Sequence, residues 1–580
     1  MHTTIIRNGL YFDGLGNSPQ KKDVVIKNNI IDAVVDTAPT IDGAKEIDAT
    51  GHWITPGFID LHAHYDAEIE VMPSLDESLR HGVTTVIIGN CSLSAALGKD
   101  EDIVDLFARV ENIPAKVLSD WIIGNVKWKN VREYYEHVDT LPLGCNVASF
   151  IGHSNIRIEA MGIERSFMEK NATKAEIDRM KGILNEAMQA GYLGMSVDML
   201  PFHRWEGHFN PKYTGISVPS QRAAKSEYWK LSHVLRQYNR VLQITPNAVD
   251  KTSVATILKL SHGLYKKSLK TTIVAALDLK SNENIYKLLK LFSVLGNDVL
   301  RAKMLFQTLA EPFTVYGDGP ITPLFEEFPS MIAAISASSE ERKKLYKDEK
   351  FRAQFLKEWF HKADSVFPRA LDQMIVVNSP DQSHIGKTFT QIAVEANKDA
   401  AEHFLDLFAE YDTAIRWKCD TSNHREKERM NLMSSKHCVP GFNDSGAHNV
   451  NMAFHDGGLQ LLKQAMNNPE FMTIERAIQR ITSEPSKFLG IDAGDISVGK
   501  RADLNIIDPT KLNSDVNSDV VEDYHPMFNG SYRLVKRSGK VVKHVFINGV
   551  EAYSNNGIVG FHEDLGKKKT FGQLLKSSWN

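Results

Sequence analysis

Eight short apolar runs, alternating with amphipathic segments, constrain this chain more than any other feature. They are Phe58-Leu61, Thr84-Ile88, Asn146-Ile151, Gly194-Val197, Val241-Ile244, Thr272-Leu277, Met304-Leu309 and Cys438-Phe442. Strand-like runs separated by helical patterns read as repeated βα units on a parallel sheet. Eight such units predict an α/β fold closed as a (β/α)8 TIM-like barrel. The rhythm breaks between about Glu311 and Ala370, a stretch rich in Phe, Ser, Glu and Lys with helix-like Ser338-Tyr346 and Phe351-Trp359; it is expected to be an insertion.

Both ends have a different texture. Thr4-Ile6, Leu10-Phe12, Asp23-Ile26 and Ile30-Val35 near the start, and Ala502-Ile507 and Val541-Ile547 with the turn Asn548-Gly549 near the end, read as short strands. They are expected to pair across the chain into one composite β domain. The tail Gly566-Asn580 is basic and is expected to be a surface arm.

At 580 residues, with 42% hydrophobic and 24% charged residues, the chain has the makings of an ordinary globular protein with a large core. Its 68 basic and 72 acidic residues leave a net charge of −4, which argues against nucleic-acid and anionic-membrane partners. Cys91, Cys145, Cys419 and Cys438 are too dispersed for a disulfide framework, so a reducing compartment is expected. The N-terminal residues lack a signal-peptide pattern and no long apolar stretch follows, so the expected location is cytoplasmic. Homo-oligomerisation is left open.

In a βα barrel the chemistry collects at the C-terminal ends of the strands. His62 and His64 end the first strand two residues apart, so both imidazoles project to the same face. The bland alternative is a chance pair on a surface strand. Cys91 follows the second strand, either as a soft thiolate ligand or as a small buried residue. His153 ends the third strand, where a satisfied, hydrogen-bonded role competes with a functional one. Asp444 lies just past the eighth, where an acid also serves as a turn or helix cap. Closure of the barrel would set Asp444 beside His62 and His64. Two imidazoles and a carboxylate suit Zn²⁺ or a similar divalent ion and leave a position for water. Asp444 could then accept a proton from the nucleophile and pass it to a leaving nitrogen.

These residues stand in longer motifs: Pro56-Gly57-Phe58-Ile59-Asp60-Leu61-His62-Ala63-His64-Tyr65-Asp66, Gly89-Asn90-Cys91-Ser92, Gly152-His153-Ser154-Asn155-Ile156-Arg157 and Asn443-Asp444-Ser445-Gly446-Ala447-His448. Toward the end come Ile481-Thr482-Ser483-Glu484-Pro485, Gly499-Lys500-Arg501-Ala502-Asp503-Leu504 and Phe546-Ile547-Asn548-Gly549. In combination they resemble the D-aminoacylase (N-acyl-D-amino-acid deacylase) family of the amidohydrolase superfamily, through most of the chain. The resemblance implies a zinc-dependent deacylase of N-acyl-D-amino acids. Its distorted barrel, about residues 57–490, is joined to a small β-sandwich made from residues 1–56 and 491–580, and the insertion partly covers the active site. It carries over His62, His64, Cys91 and Asp444 as metal ligands, with Asp444 also the acid and base.

The resemblance fails at one place. Better-known members carry metal-binding histidines after the fifth and sixth strands, where this chain reads Val241-Leu242-Gln243-Ile244-Thr245-Pro246-Asn247 and Thr272-Ile273-Val274-Ala275-Ala276-Leu277-Asp278. One or two zinc ions are therefore both compatible with the pattern. His203, in Pro201-Phe202-His203-Arg204 after the fourth strand, is a compensating ligand, a substrate contact or a plain loop histidine. A substrate carboxylate needs a cationic anchor, and Arg157 and Arg204 are candidates beside the alternative of structural arginines. A cyclic amide hydrolase or a deaminase of the same superfamily remains the nearest rival function. Outside catalysis, a scaffold that inherited the barrel remains open.

Overall fold

The computed structural model describes residues 3–578, apart from 248–249, 362–364, 518, 539 and 556–558. All eight expected strands are present: Phe58–Asp60, Val83–Ile88, Asn146–Ser149 continued by Ile151–Gly152, Gly194–Asp198, Val241–Thr245, Lys270–Ile273, Lys303–Thr308 and Cys438–Pro440. They pair in chain order and all in parallel, as two ladders that meet within the third strand. At that junction Phe150 N–H donates to the Ile88 carbonyl and Leu193 N–H to the Ser149 carbonyl, both at 2.9 Å. At the other junction Leu61 N–H donates to the Gly441 carbonyl at 2.9 Å and His64 N–H to that of Ser445 at 2.7 Å. The ends of the first and eighth strands are thus neighbours.

Side chains alternate across this sheet as strand geometry requires. Ile87 joins a cluster with Ile59, Leu61, Ala148, Phe150 and Leu193, whereas Val86 and Ile88 belong to the larger core against the helices. The helix Lys174–Ala190 shows how a crossover is specified. Thr173 and Glu176 form a reciprocal capping box at its start, and Gly191 ends it in the left-handed region at φ 107. Ile177, Met180, Leu184 and Ala187, spaced three or four residues apart, form its buried stripe. Among the described residues no helix is long and apolar enough to cross a membrane.

The two chain ends meet in one nine-stranded sheet. The join is Leu504–Ile507 running antiparallel to Trp53–Pro56, with Leu504 opposite Pro56 and Ile507 opposite Trp53. Ile54, Ile506 and Phe546 face one cluster, while their neighbours Trp53, Ile507 and Val545 face the main core. The hairpin expected at Asn548-Gly549 forms, with φ of 53 and 76 at its two central residues.

Two expectations are corrected. The excursion after the seventh strand does not end near residue 370: Phe313–Asp318 pairs antiparallel with Arg416–Ser422, and Ile375–Asn378 pairs with the same partner. The described residues between those strands share an aromatic core around Phe325, Phe355, Phe404 and Trp417, which also takes in Phe202 and Phe442 from the central body. Its return strand, Arg-Trp-Lys-Cys-Asp-Thr-Ser, is too polar to stand out in the sequence. The C-terminal tail is no surface arm either. Gly572 N–H donates to the Leu143 carbonyl at 2.8 Å and Leu575 N–H to the Val147 carbonyl at 2.7 Å. Leu575 is buried in the cluster enclosed by the parallel strands. The basic residues suggested an arm, but Phe571, Leu574 and Leu575 decide the placement by their apolar area. Leu575→Ala is expected to cost about 2–4 kcal/mol, read from the denaturant midpoint; a surface arm would show a change within about 0.5 kcal/mol.

Candidate active site

His62 and His64 are carried past the first strand with their backbone tied on both sides. Ala63 N–H donates to the Ile87 carbonyl at 2.9 Å, and His64 N–H reaches Ser445. The expected same-face projection holds: the two rings lie 5.1 Å apart between centroids. Cys91 arrives from the turn after the second strand, its Sγ 3.3 Å from His62 Nε2. Asp444 comes from beyond the eighth, with Oδ1 3.4 Å from His64 Nε2 and 3.7 Å from His62 Nε2.

The local backbone is held in unusual conformations to achieve this. Cys91, Ser92, Asp444 and His448 all have positive φ, between 43 and 66, a region that non-glycine residues seldom occupy. Gln243 Oε1 accepts from Cys91 N–H at 2.9 Å and Ser196 Oγ from Ser92 N–H at 3.0 Å, so the fourth and fifth strands brace the cysteine turn.

The donor set fits a tetrahedral divalent ion. The ligand atoms of His62, His64 and Cys91 all lie within 4.8 Å of one another and all three residues are buried. Any two donors at tetrahedral vertices 2.0–2.3 Å from a centre stand about 3.3–3.7 Å apart, which matches the spacings to Asp444 and between Cys91 and His62; three of the four side chains suffice for such an ion and leave one vertex for water. Protonation in the metal-free protein is set by burial and neighbours. Burial keeps the His62 imidazole neutral, with its pKa down at about 3. Burial also pushes the Cys91 thiol up to about 11, so a metal must displace its proton. Burial disfavours the Asp444 carboxylate, but His64 and His62 outweigh it and hold the group at about 2. Burial likewise opposes charge on His64, yet Glu111 and Asp444 raise its pKa well above the usual value.

Glu111 is a residue the sequence did not mark. It ends the helix Asp100–Glu111 and places Oε1 2.9 Å from His64 Nδ1, fully buried. No local pattern distinguishes it from any other helix-terminal acid. His448, which closes the Asn443-to-His448 motif without an assigned role there, lies four residues beyond Asp444 in the same loop and lines the same cavity.

Of the four substrate-contact candidates, one reaches the cavity. His203 lines it, with Nδ1 2.9 Å from Asp198 Oδ2 and its ring 5.9 Å from that of His448. His153, Arg157 and Arg204 are placed elsewhere. His153 Nε2 and Arg157 Nη1 both hold Glu227, at 2.9 and 2.5 Å, and all three are buried. Arg204 pairs with Glu326 at 3.2 Å. After the fifth and sixth strands, Thr245 Oγ1 contacts Cys91 Sγ at 3.1 Å, while Ile273 and Val274 line the cavity.

A parallel α/β frame with imidazole, thiol and carboxylate donors gathered at its strand ends can hold a divalent ion for hydrolytic chemistry. Two models of the amidohydrolase family match the chain, over residues 45–228 and 419–552. An uncharacterized protein of Mycobacterium tuberculosis is 35% identical over 99% of this chain and 96% of its own length. A solved D-aminoacylase with a binuclear metal centre superposes with a TM-score of 0.62 at 17% identity. An N-acyl-D-glutamate deacylase of Bordetella bronchiseptica, complexed with zinc and a phosphonate inhibitor, does so with 0.59 at 19%. Both likenesses, which are of fold, cover 99% of each chain. The chain belongs to the amidohydrolase family, and within that superfamily it is related to the D-aminoacylases.

Two substitutions separate the roles. Glu111→Gln is expected to weaken binding of a divalent ion by about 10–100-fold in chelator competition, with the melting profile of the metal-free variant as the control for folding. Arg157→Leu leaves the buried Glu227 carboxylate with His153 as its remaining charged partner and is expected to cost about 3–5 kcal/mol. An Arg157 that anchored substrate would instead raise KM with stability intact.

Proposed function

We propose that the protein is a zinc-dependent deacylase that cleaves the C–N amide bond of N-acyl amino acids, most directly those of D configuration. The observation that carries this reading is the convergence of His62, His64, Cys91 and Asp444 at the polar end of one cavity. A single ion is proposed, because the positions after the fifth and sixth strands hold Thr245, engaged with Cys91, and the apolar Ile273 and Val274. The same reading closes the eight parallel strands as a (β/α)8 barrel at the Leu61 to Gly441 hydrogen bond. It takes the terminal nine-stranded sheet, built from strands within residues 3–56 and 504–561, as the counterpart of the sandwich domain.

When bound, the ion supplies Lewis acidity that polarises the acyl carbonyl and acidifies water. Asp444 does the proton work. Its carboxylate takes the proton that water releases as it adds to the acyl carbon, and delivers it to the nitrogen as the C–N bond breaks. Glu111 fixes the tautomer and orientation of His64 through Nδ1. The charged end of the substrate is assigned to His203, whose Nδ1 is committed to Asp198, leaving Nε2 as the donor. His448, with its ring beside that of His203, widens this polar end.

Asp444→Asn is expected to lower kcat by about 10²–10⁴-fold. Its zinc content, as one of several ligands, should fall far less; unchanged turnover would remove the proton-transfer role. The reading as a whole is tested with N-acyl-D- and N-acyl-L-amino acids, cyclic amides and aminopurines, with zinc added. Release of primary amine supports it. Ring opening without amine, or release of ammonia, replaces it with a cyclic amidase or a deaminase.

A further inference from the structure

We infer that the acyl group removed is a long, unbranched hydrocarbon chain, seated in an apolar channel that runs from the histidine–cysteine cluster to the surface. The inference rests on the deacylase reading for the bond that is cut, but the channel can be tested without turnover.

The cavity measures about 780 Å³, in the upper part of the range for small-molecule sites. Its polar groups concentrate where His62, His64, Cys91, His203, Asp444 and His448 meet. Beyond them the wall is mostly hydrocarbon, interrupted by Thr245, Asn282, Thr421 and Ser422. Ile273, Val274 and Phe306 come from the sixth and seventh strands, and Ile257 and Leu258 from the helix Lys251–Ser261. Among the described lining residues there is no lysine or arginine, and Glu111 and Asp444 are the only carboxylates. A formyl or acetyl group would leave most of this volume as water against apolar walls, an unfavourable arrangement that a hydrocarbon chain removes.

The helix Asn284–Val294 shows where the channel opens. Its stripe Ile285, Leu289 and Phe292 faces the cavity at the usual helical spacing. A second stripe, Leu288, Leu291 and, just beyond the helix, Leu295, also lines the cavity, yet these residues are 61%, 65% and 39% exposed. Side chains that both bound a cavity and face solvent form its mouth. A helix that needs one face for packing leaves its other face polar; here the second face is leucine. Val294 and Val299, 42% and 57% exposed on the same segment, extend the apolar rim. Contiguous exposed apolar surface of this kind marks a site for an apolar partner.

The direction of the substrate follows from the two ends. Two groups diverge from the scissile amide, and the one with a carboxylate belongs with His203 and His448. The acyl group is left to run past Ile273 and Phe306 toward Leu288 and Leu291.

The test uses N-acylalanines of both enantiomers with acyl chains of two, six, twelve and sixteen carbons, and separately the displacement of a fluorescent fatty acid by dodecanoate. Burying each methylene contributes up to about fourfold, so kcat/KM for the twelve-carbon substrate should exceed that of the acetyl substrate by at least about 100-fold. Dodecanoate should displace the probe. Leu289→Trp, which fills the channel, should lower the twelve-to-two-carbon ratio at least tenfold and weaken dodecanoate binding, with the thermal midpoint as the control for folding. A flat or falling series with the acetyl substrate cleaved would overturn the inference and leave the deacylase reading in place. Dodecanoate binding with no N-acylalanine cleaved would uphold the channel and overturn the deacylase reading. Failure of both binding and cleavage would overturn both.

Discussion

The site depends on the meeting of the first and eighth strand ends. Leu61 N–H bonded to Gly441, and His64 N–H bonded to Ser445, draw two histidines and an aspartate from opposite ends of the central body into one cluster. That approach is closer than most residues permit. A Cβ on Gly446, whose φ is 84, would lie 2.9 Å from Tyr65 Cδ1 and 3.1 Å from the His64 carbonyl. Gly89 does the same for the cysteine: with φ 75, a Cβ there would sit 2.1 Å from the Phe150 carbonyl. Both glycines therefore supply a left-handed backbone and empty space together. Cys91, two residues after Gly89, and Asp444, two residues before Gly446, stand in the strained turns that these glycines share.

Gathering so many ionisable groups away from water is costly unless each is matched. Asp444 faces His64 and His62, His64 also faces Glu111, and His203 is bonded to Asp198. The same rule explains the groups outside the cavity. Arg157 and His153 share Glu227 in a region without solvent, an arrangement that leaves them no freedom to meet a ligand. An arginine after a strand end is a good candidate for an anion site only while its own counter-ion is unknown.

The sequence made the eight parallel strands legible because each is an apolar run buried on both faces, and it made His62, His64, Cys91 and Asp444 legible because each stands at a strand end. It was silent where tertiary contact alone does the selecting. Glu111 has the local sequence of any helix terminus and acquires meaning only from the imidazole 2.9 Å away. Strand Arg416–Ser422 alternates polar and apolar residues and is held by Phe313–Asp318, a partner about a hundred residues distant. Leu575 sits in a tail whose basic composition argued for exposure, while its buried apolar neighbours Phe571 and Leu574 determined the opposite.

The missing histidines and the apolar channel are two aspects of one arrangement. Metal-binding imidazoles after the fifth and sixth strands would project into the sector where Thr245, Ile273 and Val274 now stand, and an unliganded buried imidazole there would lack partners among Phe306, Phe313 and Phe442. Hydrocarbon side chains remove that cost and continue the wall outward to the helices that follow those same two strands, Lys251–Ser261 and Asn284–Val294. A second metal ion and a long acyl chain would compete for the same sector. On the proposed reading, a chain that keeps His62, His64, Cys91 and Asp444 while lining this sector with isoleucine, valine and leucine exchanges the second ion for hydrocarbon-lined space.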